Sequence, residues 1–421
     1  MKNMITRTIL IGVLTVISAA AQLAAEEYTL HTFRKVTLTD KFYSEGAHVG
    51  DFNHDGKQDV AAGPFWYEGP DFTTAHEYRP AKAFDPHGYS DAFLMFTADF
   101  NGDKWDDILV IGWPGKEALW FENPKGGAEP WKQHLAFDVV DNESPGFGDV
   151  TGDGRPELVC HTRGRLGYAE PNWNEPTQPW RFQPISAPGG WGQYQHGLGY
   201  GDVNADGRAD MLLREGWWQQ PESAGADAPW KRHEVPFSPG RGGAQMLVYD
   251  VDGDGDNDVI TSLDAHGYGL AWFEHSTAEN GESTFKQHLI VGSKPEDNPY
   301  GVKFSQLHAL FLVDVDGDGL QDVVTGKRFW AHGPNGDAEP AAPAVVYWFR
   351  LTRSADQGVQ YVPYLVDDDS GVGTQVIAAD VSGNGLPDII VGNKKGAFVH
   401  LHERKTVTRD EWLAAQPKRL E

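Results

Sequence analysis

The sequence predicts an all-β chain: a seven-bladed β-propeller of four-stranded blades, with an N-terminal strand closing the last blade. Three observations predict it. A nine-residue acidic loop recurs seven times, short apolar runs flank every copy, and an aromatic-marked strand follows in step. The copies start roughly 50–65 residues apart, and self-similarity at that period is the signature of a repeat architecture.

The loops are Asp51–Asp59, Asp99–Asp107, Asp149–Glu157, Asp202–Asp210, Asp250–Asp258, Asp314–Asp322 and Asp380–Asp388. A first strand precedes each, as at Leu198–Tyr200 or Leu310–Val313. A second, apolar strand follows, as at Val60–Ala62, Ile108–Ile111 or Val259–Thr261. The third carries Trp66, Trp120, Tyr168, Trp217, Trp272 or Trp348. The fourth reads WKQHL from Trp131, WRFQP from Trp180, WKRHE from Trp230 and FKQHL from Phe285. Four short strands with turn residues between them make a propeller blade. The last unit lacks a fourth strand after His400, and one is left over at Thr32–Leu38, so that strand should complete the seventh blade and leave no open edges. The expected organisation is a signal segment at 1–25, a propeller at 26–404 and a tail at 405–421 with weak helical character. Insertions at Ala278–Ser305 and His332–Pro343 should be long surface loops.

The N-terminus reads as a secretory signal. Lys2 and Arg7 precede an apolar run, Ile9–Ile17, too short to span a bilayer, and small residues follow at Ala19–Ala21 and Ala24–Ala25. The expected location is periplasmic or extracellular. No other segment is apolar enough to cross a membrane. The single cysteine, Cys160, sits in an apolar run and reads as a buried small hydrophobe. The formal charge of −26 disfavours nucleic acid and anionic membranes as partners, while the abundant aromatics mark a globular chain.

Alternate oxygen ligands at loop positions 1, 3 and 5, a turn glycine, and an acid at position 9 suit Ca²⁺, which takes six to eight oxygens in flexible geometry. The candidate ligands are Asp51, Asn53, Asp55 and Asp59; Asp202, Asn204, Asp206 and Asp210; Asp250, Asp252, Asp254 and Asp258; and Asp314, Asp316, Asp318 and Asp322. The other reading of such a loop is a plain Asx/Gly turn. Three copies are weaker: one has Lys104 at the turn glycine, and Thr151, Ser382 and Asn384 replace acids in two others. The stretch Gly201–Asp210 (GDVNADGRAD) resembles the FG-GAP/VCBS repeat family, whose members form integrin-type β-propellers with calcium in such loops. That resemblance implies the fold and says little about activity.

If the acidic loop ends the innermost strand at one face, the start of that strand lies at the opposite mouth of the channel. Six residues before each loop stand Glu45, Phe93, Glu143, His196, Ala244, His308 and Thr374, with Asp91, His48, Tyr194, Gln245, Gln306 and Gln375 nearby. Glu45, Glu143, His196 and His308 form a candidate set for a second divalent metal; polar residues at a wet channel mouth are the plainer reading. His134, His233 and His288 recur in the outer strand and read as structural. The loops joining second and third strands add His161, Arg163, Arg214, Glu215, Asp264, His266, Lys327, Arg328, Lys394 and Lys395. Trp113, Trp191 and Trp218 offer stacking platforms for a sugar ring.

The stretches Gly216–Pro221 (GWWQQP) and Trp120–Pro124 (WFENP) are similar to the propeller domain of the aldos-2-ulose dehydratases, lyases acting on keto-sugars. The resemblance implies a carbohydrate lyase or dehydratase acting on a keto-sugar, glycoside or uronate. In that reading a metal polarises a carbonyl or carboxylate while a base removes the α-proton. His196 or His308, if not a ligand, is the candidate base; Tyr194 and Lys303 are alternatives; Arg163, Arg214 or Arg328 holds an anionic group. Two other readings stand beside it: a non-catalytic glycan- or protein-binding propeller, and a structural surface protein. The enzyme requires these residues to converge on one point.

Overall fold

The computed structural model describes residues 27–222, 229–238, 240, 242–278 and 283–421. The signal segment expected at 1–25 lies outside them. The described residues divide into two compact units, His31–Arg404 with Pro417–Glu421, and residues 27–30 with Lys405–Gln416.

The larger unit is an all-β propeller. Its strands form antiparallel meanders, arranged as five four-stranded sheets and one eight-stranded sheet. The eight-stranded sheet is two meanders joined through their first strands, Leu198–Gly201 and Gln245–Tyr249, which pair in parallel with Leu198 opposite Gln245. Glycine permits that approach. A Cβ on Gly199 would lie 1.9 Å from the Met246 carbonyl oxygen, and one on Gly201 2.7 Å from Val248 Cβ. The second strands, such as Asp59–Ala62 and Glu157–Thr162, are buried along their whole length. Neighbouring sheets cover both their faces, which is why they read as continuous apolar runs. Between two such sheets Phe100, Trp120, Phe137, Leu158 and Trp180 pack as one core, with Cys160 among them as expected.

The sheet that ends the unit has the order Tyr28–Thr39, Gly396–Val407, Asp388–Asn393, Val376–Ala379. The N-terminal strand is its outer member, with Phe33 stacked on His402 at 4.7 Å. Elsewhere the outer strands are held by a repeated rung. Trp120 stacks on His134 at 4.3 Å, Trp217 on His233 at 4.0 Å, and Trp272 on His288 at 4.3 Å. The far nitrogen of each imidazole meets Glu122, Gln219 or Glu274 on the third strand. These histidines are structural, as the sequence suggested.

The insertions differ from plain surface loops. The first contains the strand Ser283–Val291 and a buried Asn298, whose amide donates to the Ile290 carbonyl at 2.6 Å. The second folds inward: Gln306 accepts from Ala331 N–H at 3.0 Å and donates to the Ala338 carbonyl at 3.2 Å, and Ala338 N–H donates to the His266 carbonyl at 3.3 Å.

In the smaller unit the helix Arg409–Ala415 starts from a reciprocal cap. The Thr408 hydroxyl accepts from Glu411 N–H while the Glu411 carboxylate accepts from Thr408 N–H. Tyr28 and Trp412 lie 5.4 Å apart, centroid to centroid. Among the described residues no helix is long and apolar enough to cross a membrane.

Candidate functional site

Glu45, Glu143, His196 and His308 all lie just before a first strand, and the repeat register therefore puts them at one end of the channel. His196 and His308 come together, Glu143 reaches His196, and a third imidazole joins them. It is His266, from the turn between Asp258–Ser262 and Leu270–Thr277. One ring nitrogen from each of His196, His266 and His308 lies within 4.8 Å of the others. His196 Nε2 is 3.2 Å from His266 Nε2 and 3.4 Å from Glu143 Oε2. His308 Nε2 is buried without a hydrogen-bond partner. Burial pushes His308 well below the ordinary imidazole value, with Arg328 and the other two imidazoles adding to it. Burial lowers His266 as well. Both rings are therefore neutral, the form that binds metal.

Glu45 does not join the imidazoles. It pairs with Arg328, and both side chains are about as buried as any in the chain, at 1 % and 2 % exposure. Arg328 also reaches Glu143 Oε2 at 3.5 Å and lies over the Phe93 ring at 5.7 Å. Burial pushes the Glu143 carboxyl up, but His196 and Arg328 outweigh it and hold it at about 2. Arg328 is thus the counter-charge of two buried acids and has no fork left for an anionic ligand. Gln245 and Gln375 are also spent on structure. Gln245 accepts from Leu310 N–H, and Gln375 exchanges two hydrogen bonds with the Met95 backbone, stitching neighbouring first strands. His48 lies 2.9 Å from the Thr97 hydroxyl, and Asp91 is held by both terminal nitrogens of Arg79.

His196, His266 and Glu143 line a cleft of about 620 Å³ with Tyr89, Trp113, Tyr194, Arg214, Arg328 and His332, and His308 lies buried behind them. Tyr194, 44 % exposed, receives a hydrogen bond from Trp113 Nε1 at 3.2 Å. Arg214 donates to the Gly240 carbonyl at 2.8 Å and lies 3.5 Å from Glu215. Several expected residues lie elsewhere. Arg163 is outside the cleft because it pairs with Asp138, and Lys303 because it pairs with Glu339. Trp191 and Trp218 pack in a hydrophobic core with Leu198 and Met211, with the Arg232 guanidinium over Trp218 at 5.3 Å, and they line a separate cleft of about 550 Å³ with Arg214, Glu215 and Trp230. His161 is buried in the strand Glu157–Thr162.

Two residues of the second insertion complete the site. Asp337 Oδ1 lies 3.2 Å from His266 Nδ1 and 3.0 Å from His332 Nδ1, and its Oδ2 accepts from the His332 backbone N–H at 2.8 Å. The two imidazoles stack at 4.6 Å. These contacts hold the Asp337 carboxyl well below the usual carboxylate range against the upward push of burial. Only the insertion's length hinted at them in the sequence.

The acidic loops share one construction. The position-1 carboxylate closes the turn: Asp51 accepts from Asp55 and Gly56 N–H, and Asp202 from Asp206 and Gly207 N–H. The buried position-9 carboxylate spends both oxygens on backbone. Asp59 accepts from Phe52 and Gly69, Asp210 from Val203 and Gln220, Asp258 from Val251 and His275, and Asp322 from Val315 and Leu351. Position 9 is therefore a staple between strands as well as a candidate ligand. Three of the four strong loops carry a cation of their own: Lys57 on Asp55, Arg208 on Asp206, and Arg350 on Asp316 and Asp318. In the Asp250 loop the cation is more distant, with Arg353 3.9 Å from the Asp250 carboxylate and donating to its carbonyl; the carboxylates of Asp250, Asp252 and Asp254 converge there, as do those of Asp314, Asp316 and Asp322 and of Asp149, Asp153 and Glu157.

Meanders with an acidic loop between first and second strands define a repeat β-propeller. Residues 99–160 match the FG-GAP-like repeat family, so the chain carries a repeat of that kind within its β-propeller. No curated protein matches the sequence. Among solved structures it is similar to an Agrocybe aegerita lectin described as recognising non-reducing terminal N-acetylglucosamine, at 19 % identity and a TM-score of 0.43, covering 75 % of this chain and 80 % of that one. It is also similar to the rhamnogalacturonan lyase YesW (11 %, 0.41, 88 % and 72 %) and to an auxiliary nutrient binding protein from Bacteroides ovatus (10 %, 0.45, 89 % and 78 %).

Proposed function

We propose that this chain is an exported, carbohydrate-active, seven-bladed propeller with a divalent metal in its cleft, acting as a lyase or dehydratase on a keto-sugar or uronate. Seven blades follow if the eight-stranded sheet is counted as two, and export follows from the N-terminal segment. The observation that carries the metal is the donor spacing. Tetrahedral Zn²⁺ with ligands at about 2.0–2.1 Å sets its donors roughly 3.3 Å apart. The His196–His266 and His196–Glu143 separations, 3.2 and 3.4 Å, are two such edges. His308, whose Nε2 has no partner, is the third imidazole donor, and Glu143 meets the set through His196. Two imidazole nitrogens and a carboxylate oxygen at these distances suit a cation better than one another.

A metal bound there supplies Lewis-acid polarisation of a sugar carbonyl or carboxylate. The remaining work falls to the chain's own groups. Arg214 is the cleft-lining arginine not consumed by a buried ion pair, and it receives an anionic substituent. Trp113 and Tyr194 pack against the sugar ring. His332 takes the α-proton, since its Nδ1–H donates to Asp337 and leaves Nε2 with the free lone pair; the C–O bond at the β-carbon then breaks, and its oxygen leaves as hydroxide or alkoxide protonated by water. The candidate base thus moves from the imidazoles at the metal to one at the rim. In the Asp250 loop Asp250, Asp252 and Asp254 hold Ca²⁺, with a structural role.

The test is elimination by metal-loaded protein on a panel of keto-sugars and uronates, followed by the ultraviolet absorbance of the unsaturated product. The reading expects turnover that chelation abolishes and that His332→Ala lowers 10²-fold or more, on the order of a general-base contribution. Tight sugar binding with no turnover across the panel would replace it with the non-catalytic binding propeller.

A further inference from the structure

We infer that Asp337 is a positioning residue that fixes two imidazoles at once, the metal-facing His266 and the rim His332. This rests on the metal reading given above and goes beyond it, because it gives the second insertion a role in the chemistry.

The argument is geometric. A histidine has two ring nitrogens, and the partner of one decides which tautomer the other presents. Asp337 Oδ1 faces Nδ1 of both rings, at 3.2 and 3.0 Å. An ionised carboxylate only accepts, so both Nδ1 atoms carry the proton and both Nε2 atoms carry the lone pair. For His266 that lone pair points at His196 Nε2, 3.2 Å away. A proton on His196 Nε2 would fill that gap as a hydrogen bond to His266 or Glu143, and a cation would fill it by taking the lone pairs of both rings. The His266 N–H is not aligned on Asp337 as a good hydrogen bond, and Nδ1 remains formally unpartnered. Coordination at Nε2 would hold the ring with Nδ1 toward Asp337.

Asp337 is itself held. Its side chain is 5 % exposed, and its second oxygen takes the His332 backbone N–H. On its C-terminal side Ala338 is clamped by Gln306, by Ser305 and by the backbone of His266 itself. The insertion therefore closes a loop around the imidazole it orients. A carboxylate behind a metal-binding histidine fixes the ring and raises its basicity, and losing it costs metal affinity on the order of 10–100-fold.

The experiment is Co²⁺ binding to the full chain in calcium-saturated buffer, read by the visible absorbance of the bound ion, with urea unfolding measured alongside. Asp337→Ala should weaken Co²⁺ binding on the order of 10–100-fold and alter the spectrum. The near-isosteric Asp337→Asn should fall between it and wild type, because its amide oxygen still accepts from His266. Should Asp337→Ala keep wild-type Co²⁺ affinity and lose only stability, Asp337 is structural and the inference is overturned while the metal reading survives. If the wild type itself binds no Co²⁺, the metal reading falls and takes this inference with it.

Discussion

Replacing Arg328 with methionine should be the most destabilising single change at the channel mouth, and the size of the effect can be worked from its partners. The guanidinium is 2 % exposed, Glu45 is 1 % exposed, and Glu143 shares the same cation at 3.5 Å. Removing one member of a buried pair leaves an uncompensated charge, which costs about 3–5 kcal/mol. Methionine nearly fills the volume, so a cavity adds little. The loss should be largely electrostatic and therefore recoverable: Glu45→Gln with Arg328→Met leaves one buried acid fewer and should restore at least about 2 kcal/mol of it. The assay is urea unfolding of wild type, both single variants and the double variant, followed by tryptophan fluorescence. A cost below about 1 kcal/mol for Arg328→Met, the level of a surface pair, would refute the reasoning. So would a double variant no more stable than Arg328→Met alone.

Three other outcomes follow from the structure. Asp322→Ala strips two interior N–H groups, on Val315 and Leu351, of their acceptor; at about 1–3 kcal/mol for each orphaned group it should destabilise strongly in urea, and Asp322→Asn, which keeps an acceptor, should cost less. Burial lowers His48, His400 and His402 to about 4 and His161 to about 3, below the unfolded value of 6.5. The unfolded chain therefore binds protons first, so stability is full above pH 6.5 and is lost as pH falls toward 4, by about 1.4 kcal/mol for each histidine at pH 5.5; the urea midpoint should fall over that window, and His161→Leu should shallow the fall. Calcium titration should find the Asp250 loop tighter than the Asp314 loop, and Arg350→Ala should strengthen the latter by removing the guanidinium from Asp316 and Asp318.

What the sequence made legible was what repeats. The acidic loops fix a register, and that register placed Glu143, His196 and His308 at one end of the channel before any coordinates were known. It placed Glu45 there too, but could not show that Arg328 would neutralise it, because that contact joins residues 283 positions apart in sequence. His266 was placed on the rim by the loops joining second and third strands, but Asp337 lies in an insertion outside the repeat register, and whether such a segment folds inward depends on tertiary hydrogen bonds such as those of Gln306. The aromatic residues misled for the opposite reason. Trp191 and Trp218 look like sugar platforms by composition, yet their area is worth more in the core than at the surface. Lys303 and Arg163 carry the right charge but found acids nearby first.

The central claim is that His196, His266, His308 and Glu143 hold a divalent metal distinct from any calcium in the loops. It is tested most directly by metal analysis of the purified mature protein against the His196→Ala/His308→Ala double variant, with calcium counted separately from other metals. The account predicts one non-calcium equivalent in the wild type and none in the variant, with loop calcium and the unfolding curve retained. Identical metal content in the two folded proteins would contradict it.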